Sequence, residues 1–151
     1  MEVTYRRATL ADAALLVEIY DAAFFDDFVR YGECPGYGRT REQMEQSIAR
    51  APKYVICCGS AAVGAISWES RGQGRYFLGC LCVHPEWQGR GIGTQAFQFF
   101  LHACPDWQRI ELVTPTDKME NIRFYTEKCG CIVGESENDG NVRVVHLWRS
   151  R

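Results

Sequence analysis

The sequence has no excess of positive charge. Its 17 lysine and arginine residues are offset by 19 aspartate and glutamate residues, which gives a formal net charge of −2 and a pI near 5.9. Proteins that bind nucleic acids usually present a basic surface that neutralises phosphates and releases counterions. The composition therefore argues against a nucleic acid as the partner.

Long apolar runs and targeting signals are also missing. The longest stretch without a formal charge, Gly91 to Pro105, contains several polar residues. A membrane-spanning helix needs about 20 consecutive apolar residues, so this stretch falls short. The N-terminal segment has no apolar core followed by a cleavage site, which a secretory signal requires. We therefore expect a cytoplasmic protein with no membrane partner.

Cysteine is abundant, with eight residues, but the paired spacing of a metal site is absent. The closest pairs are a doublet and two Cys-x-Cys pairs, namely Cys57 with Cys58, Cys80 with Cys82, and Cys129 with Cys131. Zinc sites use Cys-x-x-Cys pairs or add paired histidines. Intracellular thiols stay reduced, so we predict free, buried thiols and no metal.

The chain length of 151 residues suits one domain with a single core. Hydrophobic periodicity and turn residues predict the order β α α β β β α β α β β. Hairpin-type turns separate the strand candidates Tyr54–Cys58, Val63–Glu69 and Arg75–Val83, and the only parallel crossover runs through a helix over Gly91–His102. We expect an α/β fold of the α+β type, with a mixed, mostly antiparallel central sheet of about seven strands flanked by four helices, in a single domain over residues 1–151.

Two capping boxes precede the first two helices. Thr9 is followed three residues later by Asp12, and Thr40 by Gln43. Between the two helices, the segment Phe25–Arg39 mixes aromatic and acidic residues with glycines and a proline. This mixture predicts a shaped surface loop that contacts a ligand.

The glycine-rich segment QGRGIG lies between a strand and the first turn of a helix. Unpaired N–H groups and the helix dipole favour an anion at such a position. Glycines let the backbone approach phosphate oxygens, and an arginine can add charge from the rim. We therefore predict a phosphate site formed by Gln88, Gly89, Arg90, Gly91, Ile92, Gly93 and Thr94.

A dinucleotide-binding protein is a less favoured interpretation of the same glycines. Gly91-x-Gly93-x-x-Ala96 fits the pattern G-x-G-x-x-G/A, and Glu111 follows 20 residues after Gly91. In a dinucleotide fold, however, the glycines directly follow the opening strand. Here a predicted hairpin meander comes first, and Glu111 lies inside its strand where it should end it.

The segment VHPEWQGRGIG resembles motif A of the GCN5-related N-acetyltransferases (GNAT), whose signature is Q/R-x-x-G-x-G/A. Gln88, Gly91 and Gly93 fill that signature in order. The resemblance extends over nearly the whole chain and includes FYTEKCGC, which looks like the family's helix-four motif. It implies a GNAT-like acyl-CoA N-acyltransferase fold with acetyl-CoA as co-substrate. Residues 88–94 would cradle the pyrophosphate, and the pantetheine arm would be held by backbone groups of Leu81, Cys82 and Val83.

The resemblance also implies a catalytic acid, with two departures from the family pattern. Tyr125 would lie near the thioester sulfur and protonate the departing thiolate. The family often has an asparagine where this sequence has Lys118, and the nearby Asn121 is expected to contact the cofactor instead. The motif's closing phenylalanine is Cys131 here.

The predicted function is direct transfer of an acetyl group from acetyl-CoA to a primary amine of a small molecule or a peptide. Acidic residues alternate with aromatic ones before the second helix, which favours a cationic amine. The residues expected to bind it are Asp26, Asp27, Tyr31 and Glu33. A noncatalytic acyl-CoA-binding regulatory module is the alternative. The general base is left open among Glu33, Glu69, Tyr76 and His84, and the oligomeric state, including a homodimer, is also open.

Overall fold

The computed structural model describes residues 2–151 and contains seven strands. In chain order they are β1 (Val3–Arg7), β2 (Lys53–Cys58), β3 (Ala61–Gly72), β4 (Arg75–Val83), β5 (Arg109–Pro115), β6 (Ile132–Asp139) and β7 (Val142–Ser150). Together they form one sheet in the order β1-β2-β3-β4-β5-β7-β6.

Four α-helices connect these strands. They are α1 (Ala13–Tyr31), α2 (Arg41–Arg50), α3 (Ile92–Ala103) and α4 (Met119–Arg123), and α4 continues into a π-helical turn over Phe124–Lys128. Short 3-10 turns cover Leu10–Asp12 and Pro85–Trp87. Of the helices within residues 2–151, none combines the length and the apolarity needed to cross a bilayer.

The strand directions confirm the predicted mixed, mostly antiparallel sheet. β4 and β5 are parallel, with Arg75 opposite Arg109 and Phe77 opposite Glu111, and α3 forms the crossover between them. The β1·β2, β2·β3, β5·β7 and β6·β7 ladders are antiparallel. β3 and β4 are neighbours joined by a two-residue turn, which only an antiparallel pair can use.

Both predicted capping boxes are present. The backbone N–H of Thr9 donates to the Asp12 carboxylate at 2.8 Å, ahead of the turn that leads into α1. At α2 the two bonds are reciprocal: Thr40 N–H donates to Gln43 Oε1 at 2.9 Å, and Gln43 N–H donates to Thr40 Oγ1 at 3.1 Å. These bonds satisfy N–H groups that a helix start otherwise leaves unpaired.

The predicted loop over Phe25–Arg39 is wrong in its first half, because α1 continues to Tyr31. Tyr20, Phe24 and Phe28 follow at four-residue intervals, which is a helical spacing, and neither glycine nor proline interrupts them. The helix ends only at Gly32, whose φ of 76° breaks the α conformation. The correction leaves Glu33 in the connecting segment and moves onto the helix the predicted ligand residues Asp26, Asp27 and Tyr31.

Two compact units make up the structure. The first runs to Trp68 and resumes over Gly79–Ala96, and the second comprises Glu69–Leu78 and Phe97–Arg151. The core of the first unit includes Leu16, Tyr20, Met44, Val55 and Cys82. Fully buried side chains of the second include Phe97, Phe100, Ile110, Leu112 and Leu147. The interpretation of the chain as a single domain stays a prediction.

Candidate functional site

A hydrogen-bonded corner connects β4 to the glycine-rich segment. His84 N–H donates to Val63 O at 2.7 Å, and His84 Nδ1 accepts the Glu86 N–H at 3.1 Å. The second bond caps the 3-10 turn Pro85–Trp87. These contacts give His84 a structural role at the corner, whereas its role as a base stays open.

Two side chains hold the segment that follows. Gln88 Nε2 donates to Val83 O at 3.0 Å, and Arg90 Nη2 donates to Glu86 O at 3.2 Å. The Arg90 guanidinium also lies 4.7 Å from the centroid of the Trp87 ring. Gln88 and Arg90 therefore shape the loop by binding its own backbone.

Backbone conformation explains two of the three glycines. Gly89 and Gly91 have φ values of 78° and 79°, in the left-handed region that L side chains rarely adopt. Apart from each glycine and its two neighbours in the chain, no residue has a heavy atom within 4 Å of the position that a Cβ would occupy. Open space therefore adjoins both glycines. Gly93 needs no such freedom, because it lies within α3.

The first turn of α3 presents backbone N–H groups beside this loop. The first intrahelical bond runs from Gln95 N–H to Gly91 O at 3.1 Å. The N–H groups of Ile92, Gly93 and Thr94 therefore have no acceptor within the helix. Together with the positive end of the helix dipole, they form a local arrangement that suits an anion.

The end of β4 contains the residues predicted to contact the pantetheine arm, and that contact stays a prediction. Cys82 is 6% exposed, while Leu81 and Val83 are half-buried. A Cβ at Gly64 would lie 2.3 Å from the carbonyl oxygen of Cys82, so β3 can approach β4 here only because residue 64 is glycine. The backbone of β3 therefore packs closely against β4 at Cys82.

Tyr125 lies in the π-helical turn that follows α4. Its side chain is 7% exposed, and its ring meets that of Phe124 edge-on, with centroids 4.9 Å apart. The sequence predicts an uninterrupted helix here, closed by Gly130, and the glycine does adopt a left-handed φ of 72°. Because a π turn adds a residue to the helical repeat, it changes the direction of Tyr125, and such turns are frequent at functional sites.

Asn121 joins α4 to β5. Its Nδ2 donates to Thr114 Oγ1 at 3.1 Å, and Thr114 is 3% exposed. Lys118 precedes the helix as its N-cap residue. The Asn121 amide therefore has a structural contact, and its contact with a cofactor stays a prediction.

Comparison with known proteins decides the family. The family model described as the acetyltransferase (GNAT) family matches residues 16–131, which include the glycine-rich loop, α4 and Tyr125. The chain belongs to the acetyltransferase (GNAT) family. The resemblance inferred from motif A is therefore confirmed.

One curated relative of this GNAT chain matches part of its length. The uncharacterized protein YrkN of Bacillus subtilis (strain 168) is 39% identical over 86 residues, which cover 57% of this chain and 46% of YrkN. The chain thus matches less than half the length of that curated relative.

Solved structures share the fold at low sequence identity. The PaiA N-acetyltransferase from Thermoplasma acidophilum, solved in complex with coenzyme A, has a TM-score of 0.83 and 15% identity, and the match covers 100% of both chains. The aminoglycoside acetyltransferase AAC(6')-Ib, in complex with coenzyme A, has a TM-score of 0.74 and 19% identity, with 99% of this chain and 95% of that chain covered. The predicted GNAT-like fold is therefore confirmed.

The residues predicted to bind the acceptor lie in the last turns of α1 of this GNAT chain, except Glu33, which follows the helix. Asp26 and Glu33 are exposed, whereas Asp27 and Tyr31 are half-buried. The Arg30 guanidinium lies 5.2 Å from the centroid of the Tyr31 ring, so a cation of the chain itself already faces that ring. Binding of a substrate by these residues stays a prediction.

A basic cavity is lined by residues of the segment 34–39, which connects α1 to α2, and by α2 itself. Its volume is about 460 Å³. Arg39 Nε donates to Pro35 O at 3.0 Å, which fixes this guanidinium at the wall. The polar and charged residues of its lining are Arg39, Gln43, Gln46, Ser47 and Arg50, and no carboxylate lines it.

Sequence reasoning missed a buried cluster in the same unit. Lys53, the first residue of β2, is 2% exposed, and its Nζ donates to Tyr20 Oη at 2.5 Å. Tyr20 and Cys82 belong to the core of this unit, and the half-buried Cys80 packs against that core. The sequence offered two weak signals of this cluster. One lysine directly precedes the apolar run YVICC, and the Cys-x-Cys pair on β4 was interpreted as packing residues.

The surroundings of this cluster shift its pKa values in different directions. The hydrogen bond from Cys82, with the charge of Lys53, lowers the pKa of Cys80 to about 7 against the opposing effect of burial. Desolvation lowers the pKa of Lys53 and raises that of Tyr20. All eight cysteines carry free thiols. Within residues 2–151, no set of three or more ligand side chains is placed to hold a metal ion.

Proposed function

We propose that this chain is an acetyl-CoA-dependent N-acetyltransferase that transfers the acetyl group directly to a primary amine of a small molecule or a peptide. The observation that carries the proposal is the motif A loop, in which two left-handed glycines lead into the unpaired first turn of α3. Membership of the GNAT family supports the same activity. PaiA and AAC(6')-Ib, which share the fold, were both solved with coenzyme A.

The loop suits the pyrophosphate of the co-substrate. The N–H groups of Ile92, Gly93 and Thr94 donate to phosphate oxygens, aided by the helix dipole. Gly89 and Gly91 give the loop its path and leave space for the ligand, because no residue beyond their neighbours in the chain lies within 4 Å of their Cβ positions. Gln88 and Arg90 hold the loop in shape, and the guanidinium adds positive charge at the rim.

The acyl transfer needs a polarised thioester and a proton donor. We assign the pantetheine contacts to backbone groups of Leu81, Cys82 and Val83, and the polarising N–H to the vicinity of Leu81. The amine nitrogen attacks the carbonyl carbon, and collapse of the tetrahedral intermediate breaks the carbon–sulfur bond. Tyr125 then protonates the departing thiolate. Asn121 is assigned a contact with the cofactor.

The nature of the amine depends on which charged region binds it. Asp26, Asp27 and Glu33, with the ring of Tyr31, favour a cationic acceptor. The cavity with Arg39 and Arg50 favours an acceptor that also carries a carboxylate. These two observations lead to opposite substrate preferences, so the acceptor screen needs both kinds of amine.

Turnover is tested by incubating the protein with acetyl-CoA and primary amines of cationic, neutral and anionic character. Release of free thiol that requires an amine supports the proposed enzyme. Stabilisation by coenzyme A without thiol release for any amine would favour the noncatalytic acyl-CoA-binding module. A ligand at about 100 times its Kd adds roughly 2.7 kcal/mol to the free energy of unfolding, which is easily seen as a rise in Tm.

Gly91→Val tests the loop itself, and Gly59→Val is its matched control. Gly59 lies in the turn between β2 and β3, has a φ of 59° and, like Gly91, has open space around the position of a Cβ. Both variants suffer the same kind of backbone strain, so we expect similar losses in Tm. Only Gly91→Val should lose the Tm increase produced by coenzyme A. An undiminished increase in Gly91→Val would contradict the assignment of the loop.

A further inference from the structure

Three basic side chains of the first unit have no acidic partner. Lys53 Nζ donates to Tyr20 Oη at 2.5 Å, and the Arg39 guanidinium lies 5.2 Å from the centroid of the same ring. Arg50, the last residue of α2, lines the basic cavity together with Arg39. Among residues 2–151, no carboxylate forms an ion pair with any of the three. Positive groups that share a region repel one another, so this region favours an anion brought by a ligand.

Arg39 extends along α2 towards Arg50. Its Nε donates to Pro35 O at 3.0 Å, and its Nη1 donates to Ser47 Oγ at 3.4 Å. Ser47 precedes Arg50 by three residues, and side chains at that spacing are neighbours on the surface of a helix. The Arg39 guanidinium therefore lies about one helical turn from the position of Arg50. Burial lowers the pKa of Lys53 and both arginines lower it further, in agreement with this proximity.

The segment before α2 is held in place by contacts with α1. Gly38, which lines the cavity, donates its N–H to Asp21 Oδ1 at 2.9 Å, so this carboxylate is engaged by the backbone. Gly36 packs so closely against α1 that a Cβ would lie 2.5 Å from the Phe24 ring. The wall of the cavity is therefore formed before a ligand binds, which reduces the entropy lost on binding.

The other wall is a polar face of α2. Its residues recur at the three- and four-residue intervals of one helix face, and they are Gln43, Gln46, Ser47 and Arg50. Glu42 and Glu45, the glutamates of α2, are not part of the lining. The cavity thus offers two guanidinium groups and neutral hydrogen-bonding groups, without a negative charge.

We propose that this cavity is a binding site for a small dicarboxylate. One carboxylate forms a bidentate pair with the outer edge of Arg39, whose Nη2 makes no hydrogen bond within residues 2–151. The other carboxylate pairs with Arg50, so the two negative charges balance the two guanidinium groups. The volume of about 460 Å³ is in the range of small-molecule sites and exceeds what a single inorganic anion fills. Binding at this site is independent of the proposed acetyl transfer.

Calorimetric titration of the native protein tests the ligand class. The dicarboxylates are succinate, glutarate and adipate, and the comparison ligands are butyrate, with one carboxylate, and inorganic phosphate. Sodium chloride keeps the ionic strength equal in all titrations, because exposed charges are screened by salt. We expect the best dicarboxylate to bind at least roughly tenfold more tightly than butyrate or phosphate, since it gains a second charge-assisted contact. Equal binding of butyrate or phosphate, or no saturable binding of any dicarboxylate, would overturn the proposal.

Arg39→Gln tests the site, with Arg41→Gln as its matched control. Arg41 is an exposed arginine at the start of α2 that does not line the cavity, so its replacement removes the same charge from the same helix. Arg39→Gln should weaken binding of the best dicarboxylate by roughly tenfold or more, whereas Arg41→Gln should change the Kd by less than about twofold. Similar losses in both variants would indicate a response to net charge and would contradict the built site.

Arg50→Gln provides a second variant that is expected to fold like the wild type. Arg50 is exposed and makes no hydrogen bond within the described part of the chain, whereas Arg39 contacts Pro35 and Ser47. Its replacement should also weaken the dicarboxylate by roughly tenfold and leave the Kd of butyrate nearly unchanged. An unchanged Kd for the dicarboxylate in folded Arg50→Gln would contradict the second carboxylate contact.

Glutamate separates this site from the proposed reaction, because it carries two carboxylates and a primary amine. Its binding is measured by the same titration, and its turnover by thiol release from acetyl-CoA. Binding that Arg39→Gln weakens supports the dicarboxylate site, with or without thiol release. Thiol release would in addition make the cavity the acceptor site, an extension that rests on the proposed function. Failure of glutamate to bind where glutarate binds would show that the site excludes amines and would overturn only that extension.

Discussion

The motif A loop and the cluster around Lys53 belong to the same compact unit, but they are built in opposite ways. Side-chain hydrogen bonds of the loop connect residues at most five positions apart, such as Gln88 with Val83. In the cluster, Lys53 and Tyr20 are 33 residues apart and lie on different elements. The loop is therefore visible as a short sequence pattern, whereas the cluster exists only after α1, β2 and β4 have packed.

The two regions also differ in their relation to water. Gly89, Arg90 and Gly91 are exposed, so a phosphate can replace solvent there with little rearrangement. Lys53 and Cys82 are buried, and their polar atoms must find partners within the protein. We expect substitutions in the loop to act on ligand binding and substitutions in the cluster to act on stability.

The largest expected effect on stability comes from Lys53→Ala. The variant removes the buried cation and leaves a cavity where three methylene groups packed, so the free energy of unfolding should fall by about 3 kcal/mol. Lys53→Met fills most of that volume and should cost less than about 1.5 kcal/mol. Urea denaturation measures both values. In Lys53→Met the Tm increase with coenzyme A should persist, and its loss would remove the distinction between the two regions.

Tyr125→Phe should affect neither region but should slow turnover. Loss of the proton donor is expected to lower kcat by about 100-fold, which corresponds to about 2.7 kcal/mol, while the Kd for coenzyme A stays the same. Tyr5→Phe, on β1, is a control for the loss of a tyrosine hydroxyl elsewhere. Steady-state kinetics with an identified amine measure the kcat of both variants. Turnover within a factor of about two of the wild type would make Tyr125 a packing residue.

A smaller effect is expected at the acidic end of α1. The double change Asp26→Asn and Asp27→Asn should raise the KM of a cationic amine roughly tenfold, with a weaker effect at high salt, because exposed charges are screened. Arg39→Gln is the opposing variant and should raise the KM only of an amine that carries a carboxylate. The prediction is wrong if the double variant leaves the KM unchanged or if the best acceptors are anionic.

Several elements were predictable because their signals are local. The capping bonds of Thr9 and Thr40 involve residues three positions away, and the motif A glycines lie in the short segment between β4 and α3. The end of α1 was less predictable. Its aromatic residues have helical spacing, but the glycines and proline after residue 31 suggested a loop for the whole segment. The position of a helix end depends on whether the helical spacing or the turn residues dominate. Here the packing of Phe24 against Tyr20 supports the helix.

The sequence by itself determined the element order, the mixed sheet and the place of the glycine-rich loop. These depend on residue patterns that act over a few positions, through turns, caps and the unpaired start of a helix. Only the tertiary structure decided the environment of Cys80 and the direction of Tyr125. A thiol pKa depends on charges and hydrogen bonds from other elements, and the π turn at Tyr125 interrupts the regular helix that its spacing predicts. Sequence spacing carries neither kind of information, because both arise from contacts between distant segments or from local departures from a regular helix.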